Sequence, residues 1–185
     1  MRCASFYLTA VTTLALLLVA GCSTPTTPKS HYYLIAPDYQ ASAALSPPAT
    51  ISVECAPYLS QGGLVVENGD QTIVTAHYHR WAEPLPAMIS RYLQRQLQSN
   101  LRPEATPPAI TLLIDRFHRL NDGTVVYSGQ WWVQGETPQA FRYQEHPASA
   151  DYDSTVASLH HLLDKQAMTL VMTLAPDTLA KTETP

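Results

Sequence analysis

Cys22 is the residue of this chain whose type and setting define a chemistry most sharply. It follows the small pair Ala20-Gly21, and a run of 15 apolar or small residues, Phe6 to Ala20, leads into that pair. Arg2 places a positive charge ahead of the run. A spanning helix needs roughly 20 apolar residues, so this segment reads as a secretory signal. Small residues before the cysteine present its thiol for diacylation. Cleavage between Gly21 and Cys22 frees an amine that can be acylated in turn. The expected mature protein starts at Cys22 and carries covalent acyl groups there, with no other cofactor. Two or more acyl chains anchor stably, where one is marginal. Ser23, rather than Asp, follows the cysteine and points to the outer membrane. The expected location is therefore lipid-anchored and periplasm-facing.

No second site of comparable definition stands out. Cys55 is the lone thiol left once Cys3 departs with the signal and Cys22 is acylated. It excludes an intramolecular disulfide and reads as a buried structural thiol. His77 and His79 share one strand face, but the sequence offers no linked ligands for a metal. His160 and His161 point about 100° apart on a helix and form no pair. Asp115 and His118 fall on opposite faces of a strand. Ser128-Gly129 lacks the G-x-S-x-G elbow, and no P-loop or G-x-G-x-x-G occurs. The chain is expected not to be an enzyme.

Two short apolar pairs are candidate partner or lipid contacts. In a strand, Trp131 and Trp132 face opposite sides, so one fills the core and the other meets the open face. Tyr58 and Leu59, after Pro57, place two apolar side chains in an expected surface loop.

The elements that must position these residues follow from the hydrophobic pattern. Without residues 1–21 the chain has 164 residues, with 10 Lys+Arg against 15 Asp+Glu, a formal charge of −5. That size suits one domain with its own core. No basic run exists, so nucleic acid is not expected as a partner. Residues 22–30 form a Pro- and Thr-rich tether of about 3 Å per residue. Strands are predicted at His31–Ala36, Thr50–Cys55, Leu64–Glu67 and Thr72–Tyr78. The last two form a hairpin across Asn68-Gly69-Asp70. Trp81-Ala82-Glu83-Pro84-Leu85 opens a helix with one apolar face, Leu85, Met88, Ile89, Tyr92, Leu93, Leu97 and Leu101, stopped by Pro103. Strands follow at Ala109–Phe117, Thr124–Val133 and Phe141–Glu145. Asp151 or Asp153 caps a second helix. Residues 31–176 make one domain, and 177–185 are an expected frayed tail. The predicted fold is α+β, a mostly antiparallel sheet with two long helices packed on one face.

Several of these segments together resemble a known family. They are Tyr32-Tyr33-Leu34, Ile51-x-Val53, Pro57-Tyr58-Leu59, Val65-Val66, Trp81-Ala82-x-Pro84-Leu85, Phe117, Asp122-Gly123 and Val125-x-x-Ser128-Gly129-x-Trp131, ahead of a long C-terminal helix. The pattern is similar to the PqiC-like ABC-type transport auxiliary lipoproteins over residues 31–175. The resemblance implies a periplasmic lipoprotein that accompanies an MCE-domain protein, part of a lipid conduit between inner and outer membranes. It implies no catalytic residues. The expected role is docking that conduit at the outer membrane and supporting envelope integrity, with a homo-oligomeric ring as a candidate assembly. The alternative is an independent periplasmic carrier of an apolar small molecule or lipid, which requires a closed cavity between sheet and helices.

Overall fold

The computed structural model describes residues 28–35, 49–69, 71–101 and 108–175. Gly21, Cys22, most of the tether, Pro103 and the tail lie outside the described residues. Seven strands form one sheet: β1 (His31–Tyr33), β2 (Ile51–Cys55), β3 (Gly63–Glu67), β4 (Ile73–Trp81), β5 (Ile110–Arg119), β6 (Val125–Val133) and β7 (Gln139–Glu145). Among the described residues two α-helices, α1 (Leu85–Asn100) and α2 (Tyr152–Leu174), complete the predicted α+β class.

The sheet runs β1-β4-β3-β5-β6-β7, and β2 shares the β5 edge with β3. Antiparallel ladders β3–β4, β5–β6 and β6–β7 supply most of the pairing, as the hairpin signals predict. Parallel pairings join the remainder: β1 with β4, β2 with β5, and β3 with β5 at Val66–Arg119. Between β2 and β3 the chain turns through a 3-10 segment, Pro57–Gln61.

β5 carries one extra residue. Ile114 pairs with Gly129 and Arg116 with Ser128, so Asp115 is bulged out of the ladder. A bulge bends its strand and flips the face parity beyond it. Ile110, Leu112, Ile114 and then Phe117 all turn inward as a result, and all are buried. Opposite the bulge, an added Cβ on Gly129 would lie 2.0 Å from the Leu113 carbonyl oxygen. Only glycine permits that approach.

α1 starts after Pro84, with Pro86 in its first turn, where a missing N–H costs nothing. Trp81 is the last residue of β4 rather than the helix start. Its N–H donates to the Gly62 carbonyl at 2.8 Å, and its ring packs against Phe117. α2 begins at the predicted cap, where Asp151 accepts from the Ser154 N–H at 2.7 Å. The two helices lie side by side, joined by a Tyr92 hydroxyl to Asp164 hydrogen bond. Their buried stripes meet the inner sheet face in one apolar cluster. The α2 stripe also buries Thr155, Ser158 and Gln166, three polar residues that the apolar pattern does not mark.

Candidate functional site

The candidate contact residues separate into core and surface. Leu59 is 2 % exposed and Trp131 is 3 % exposed. Neither presents a side chain to a partner, which corrects the expected surface placement of Leu59. The 3-10 turn is the reason. It swings Leu59 back under the sheet while Tyr58 stays half-buried at its rim. In β6, Trp131 pairs with Leu112 on the inner side, and Trp132 pairs with Thr111 on the outer side, where it remains half-exposed.

Tyr58 is tied to the bulge. Its hydroxyl donates to the Asp115 carbonyl oxygen at 2.7 Å and lies 3.1 Å from His118 Nδ1. With the Tyr58 proton committed to Asp115, Nδ1 of His118 supplies the proton of the second bond. The rings meet edge to face at 5.7 Å. Asp115 therefore takes part through its backbone, and its carboxylate is exposed. Burial pushes the Tyr58 hydroxyl up to about 12, aided by Asp115 and opposed by Arg116. Burial, then Arg116, lowers His118 to about 4. This imidazole is neutral near pH 7. A tyrosine raised and a histidine lowered, linked to each other and a carbonyl, make a structural brace rather than an acid–base pair. A cleft of about 300 Å³ opens beside it, lined by Glu67, Gln71, Ile73 and Arg116 among others.

Trp132 and Tyr58 share the outer sheet face. Trp132, Gln130, Ser128 and Val126 alternate along one side of β6, and Val126 pairs with His118, against which Tyr58 packs. The outer face thus presents an aromatic at each end of β6.

The remaining singled-out residues have packing roles. Cys55 is half-buried, and burial pushes its thiol up to about 12. His160 packs edge to face on Tyr92 at 5.1 Å, whereas His161 is exposed and holds Glu145 at 2.6 Å. His79 stacks on Tyr152 at 3.9 Å and on His31 at 5.0 Å. The Tyr33 hydroxyl lies 2.8 Å from His79 Nδ1 and donates to Asp153 Oδ1 at 2.8 Å. Residues from β1, β4 and the start of α2 meet here, a cluster that no local sequence pattern announces. Among the described residues, no three His, Cys, Asp or Glu side chains gather as a metal site. No described helix is long and apolar enough to cross a membrane.

A family model described as ABC-type transport auxiliary lipoprotein component matches residues 32–171. The chain is 27% identical over 173 residues to intermembrane transport lipoprotein PqiC of Escherichia coli (strain K12), covering 85% of this chain and 92% of that relative. PqiC of Shigella flexneri aligns to the same extent. Among solved structures, the fold matches that of an uncharacterized protein with a TM-score of 0.66 at 22% identity, covering 79% of this chain and 99% of the other. It also matches protein XCC0632 from Xanthomonas campestris with a TM-score of 0.58 at 16% identity, covering 83% and 99%. The family match runs from β1 into the last turns of α2 and takes in the brace, the bulge, Trp131 and Trp132. The chain belongs to the ABC-type transport auxiliary lipoprotein family, a family of transport components and not of enzymes.

Proposed function

We propose that this chain is the membrane-anchored lipoprotein subunit of an MCE-type intermembrane lipid transport system. Acyl groups on Cys22 hold it to the outer membrane, and residues 22–30 tether a domain of residues 31–176 in the periplasm. It docks the transport conduit there, alone or as a ring of identical copies, and so supports envelope integrity. The observation that carries this reading is the family match across nearly the whole folded domain, together with a curated relative named as an intermembrane transport lipoprotein. The filled interior supports docking over carriage. Leu112, Phe117, Tyr127, Leu162 and Leu163 occupy the space between sheet and helices. Among the described residues, clefts open at the β4 edge, beside Tyr58, and between the ends of α1 and α2. Tyr58 and Trp132 on the outer face are the proposed partner contacts.

The test is affinity purification of the full-length lipoprotein from its own membranes after mild crosslinking. An MCE-domain protein recovered in near-stoichiometric yield supports the reading. Recovery of the lipoprotein alone, with lipid bound, moves it to an independent carrier.

A further inference from the structure

Among the described residues, the outer edge of β4 has no ladder partner over most of its length. β1 pairs only with His79–Trp81, which leaves Ile73–Tyr78 without a neighbour on that side among the described residues. A cleft of about 520 Å³ runs along this edge, lined by Pro28, Lys29, His31, Val74, His77 and others. Six large apolar side chains are exposed among the described residues, and four belong to these two strands and the residue after β1. Tyr32 is 66 % exposed, Leu34 50 % and Val74 49 %, with Ile73 close behind. Residues 28–35 and 71–82 contain no Asp or Glu, in a chain of net charge −4, and carry Lys29 and Arg80. Acids lie close by: Glu67 pairs with Ile73 from β3, Glu83 follows Ala82 and is held by Arg91, and Asp151 and Asp153 sit at the start of α2. Asp153 there accepts the Tyr33 hydroxyl, and Asp151 caps the helix.

The chain also enters the domain at this edge. Eight residues, 23–30, separate Cys22 from β1, and they span at most about 29 Å when fully extended. With Cys22 acylated, the face nearest the bilayer is the one where the tether arrives. We propose that the β1/β4 edge is a membrane-contact face, which docks on the phospholipid surface beside the anchor. The proposal rests on the acylated-Cys22 reading. Tyr32 enters the interfacial layer, where an amphipathic ring is favoured. Leu34 and Val74 bury apolar surface there. Lys29 meets phosphate groups, while the Arg80 guanidinium is held by the Gln61 carbonyl oxygen at 3.2 Å on the β3 side. The hydrated headgroup layer satisfies the unpaired backbone groups of the open edge, which the bilayer core would not. The contact adds to the acyl chains and fixes the orientation of the domain.

Single cysteines at Tyr32, Val74 or Met172, in a Cys55→Ser background, report on this when labelled with an environment-sensitive fluorophore. Each full-length lipidated protein is reconstituted into phosphatidylethanolamine/phosphatidylglycerol vesicles, with or without phospholipid spin-labelled near the headgroup. Intact mass establishes acylation, and flotation establishes association. Blue-shifted, quenched emission at positions 32 and 74, with none at 172 on exposed α2, is the expected result. Quenching at 172 instead overturns the proposal in favour of the α2 methionine stripe. No quenching at any position, in acylated and floating protein, overturns the contact face and leaves the anchor standing. Unacylated protein that stays off the vesicles overturns the anchor, and the proposal with it.

Discussion

Gly129 faces Leu113 across the β5 bulge so closely that a Cβ on it would stand 2.0 Å from the Leu113 carbonyl oxygen. The neighbour is backbone within the central ladder and cannot turn aside. Gly129→Ala is expected to destabilise the domain by about 3 kcal/mol through overpacking. The midpoint of urea denaturation, with unchanged slope, measures it. An unchanged midpoint would mean that the bulge relaxes freely.

Leu59 and Tyr58 are neighbours with different roles. Leu59→Ala removes a buried core side chain and is expected to cost about 2–5 kcal/mol. Tyr58→Phe strips the hydroxyl from the Asp115 carbonyl and the His118 ring, and should cost about 1–2 kcal/mol. Thermal unfolding of the two variants ranks them, and a larger loss for Tyr58→Phe contradicts the placement of Leu59.

His118 makes stability pH-dependent. Its folded value near 4 lies below the ordinary 6.5, so the unfolded chain binds the extra proton between those values. Stability is full above about pH 7, falls as pH drops toward 4, and levels off below, a loss of about 3 kcal/mol. His118→Leu should flatten that window in a series of denaturation curves. Asp122 and Asp151 have lowered carboxyl values, so their contributions fall away at more acid pH, outside the window.

Gln166 is fully buried, and neither end of its amide has a hydrogen-bond partner among the described residues. Gln166→Met keeps the volume and removes the desolvated amide. It is expected to raise stability by about 1–3 kcal/mol, read as a higher melting temperature. A lower one would show that the amide is satisfied in solution.

Trp131 and Trp132 should separate folding from docking. Trp131→Ala opens the core and costs about 3–5 kcal/mol. Trp132→Ala should leave the unfolding free energy within about 1 kcal/mol of the parent, yet reduce recovery of the partner after crosslinking. Equal recovery would remove Trp132 from the contact surface.

Both helices were legible because Leu and Met recur at helical spacing and Asp151 stands where a cap is needed. The hairpins were legible from Asn68-Gly69 and Asn121-Asp122-Gly123. The parallel pairing of β2 with β5 was not, since it joins residues such as Ile51 and Ile110 that no local turn connects. Alternation alone named two opposed indoles but not which one is buried; the pairing of Trp131 with Leu112, on the face that Tyr127 shares, makes Trp131 the core residue. Leu59 was misplaced because a Pro-initiated segment reads as loop, whereas a single 3-10 turn carries its third residue inward. Gln166 escaped because a polar residue on a core stripe breaks the apolar period that marks the stripe.

The hydrogen bond from Tyr33 to Asp153 joins residues 120 positions apart. It ties the first described strand to the first turn of the last helix, and the His79–Tyr152 stack beside it does the same for β4. A chain delivered from its N-terminus would hold β1 and β4 without this closure until residue 153 emerged. Such late closure means that β1 and β4 reach their final packing only once most of the sequence is available.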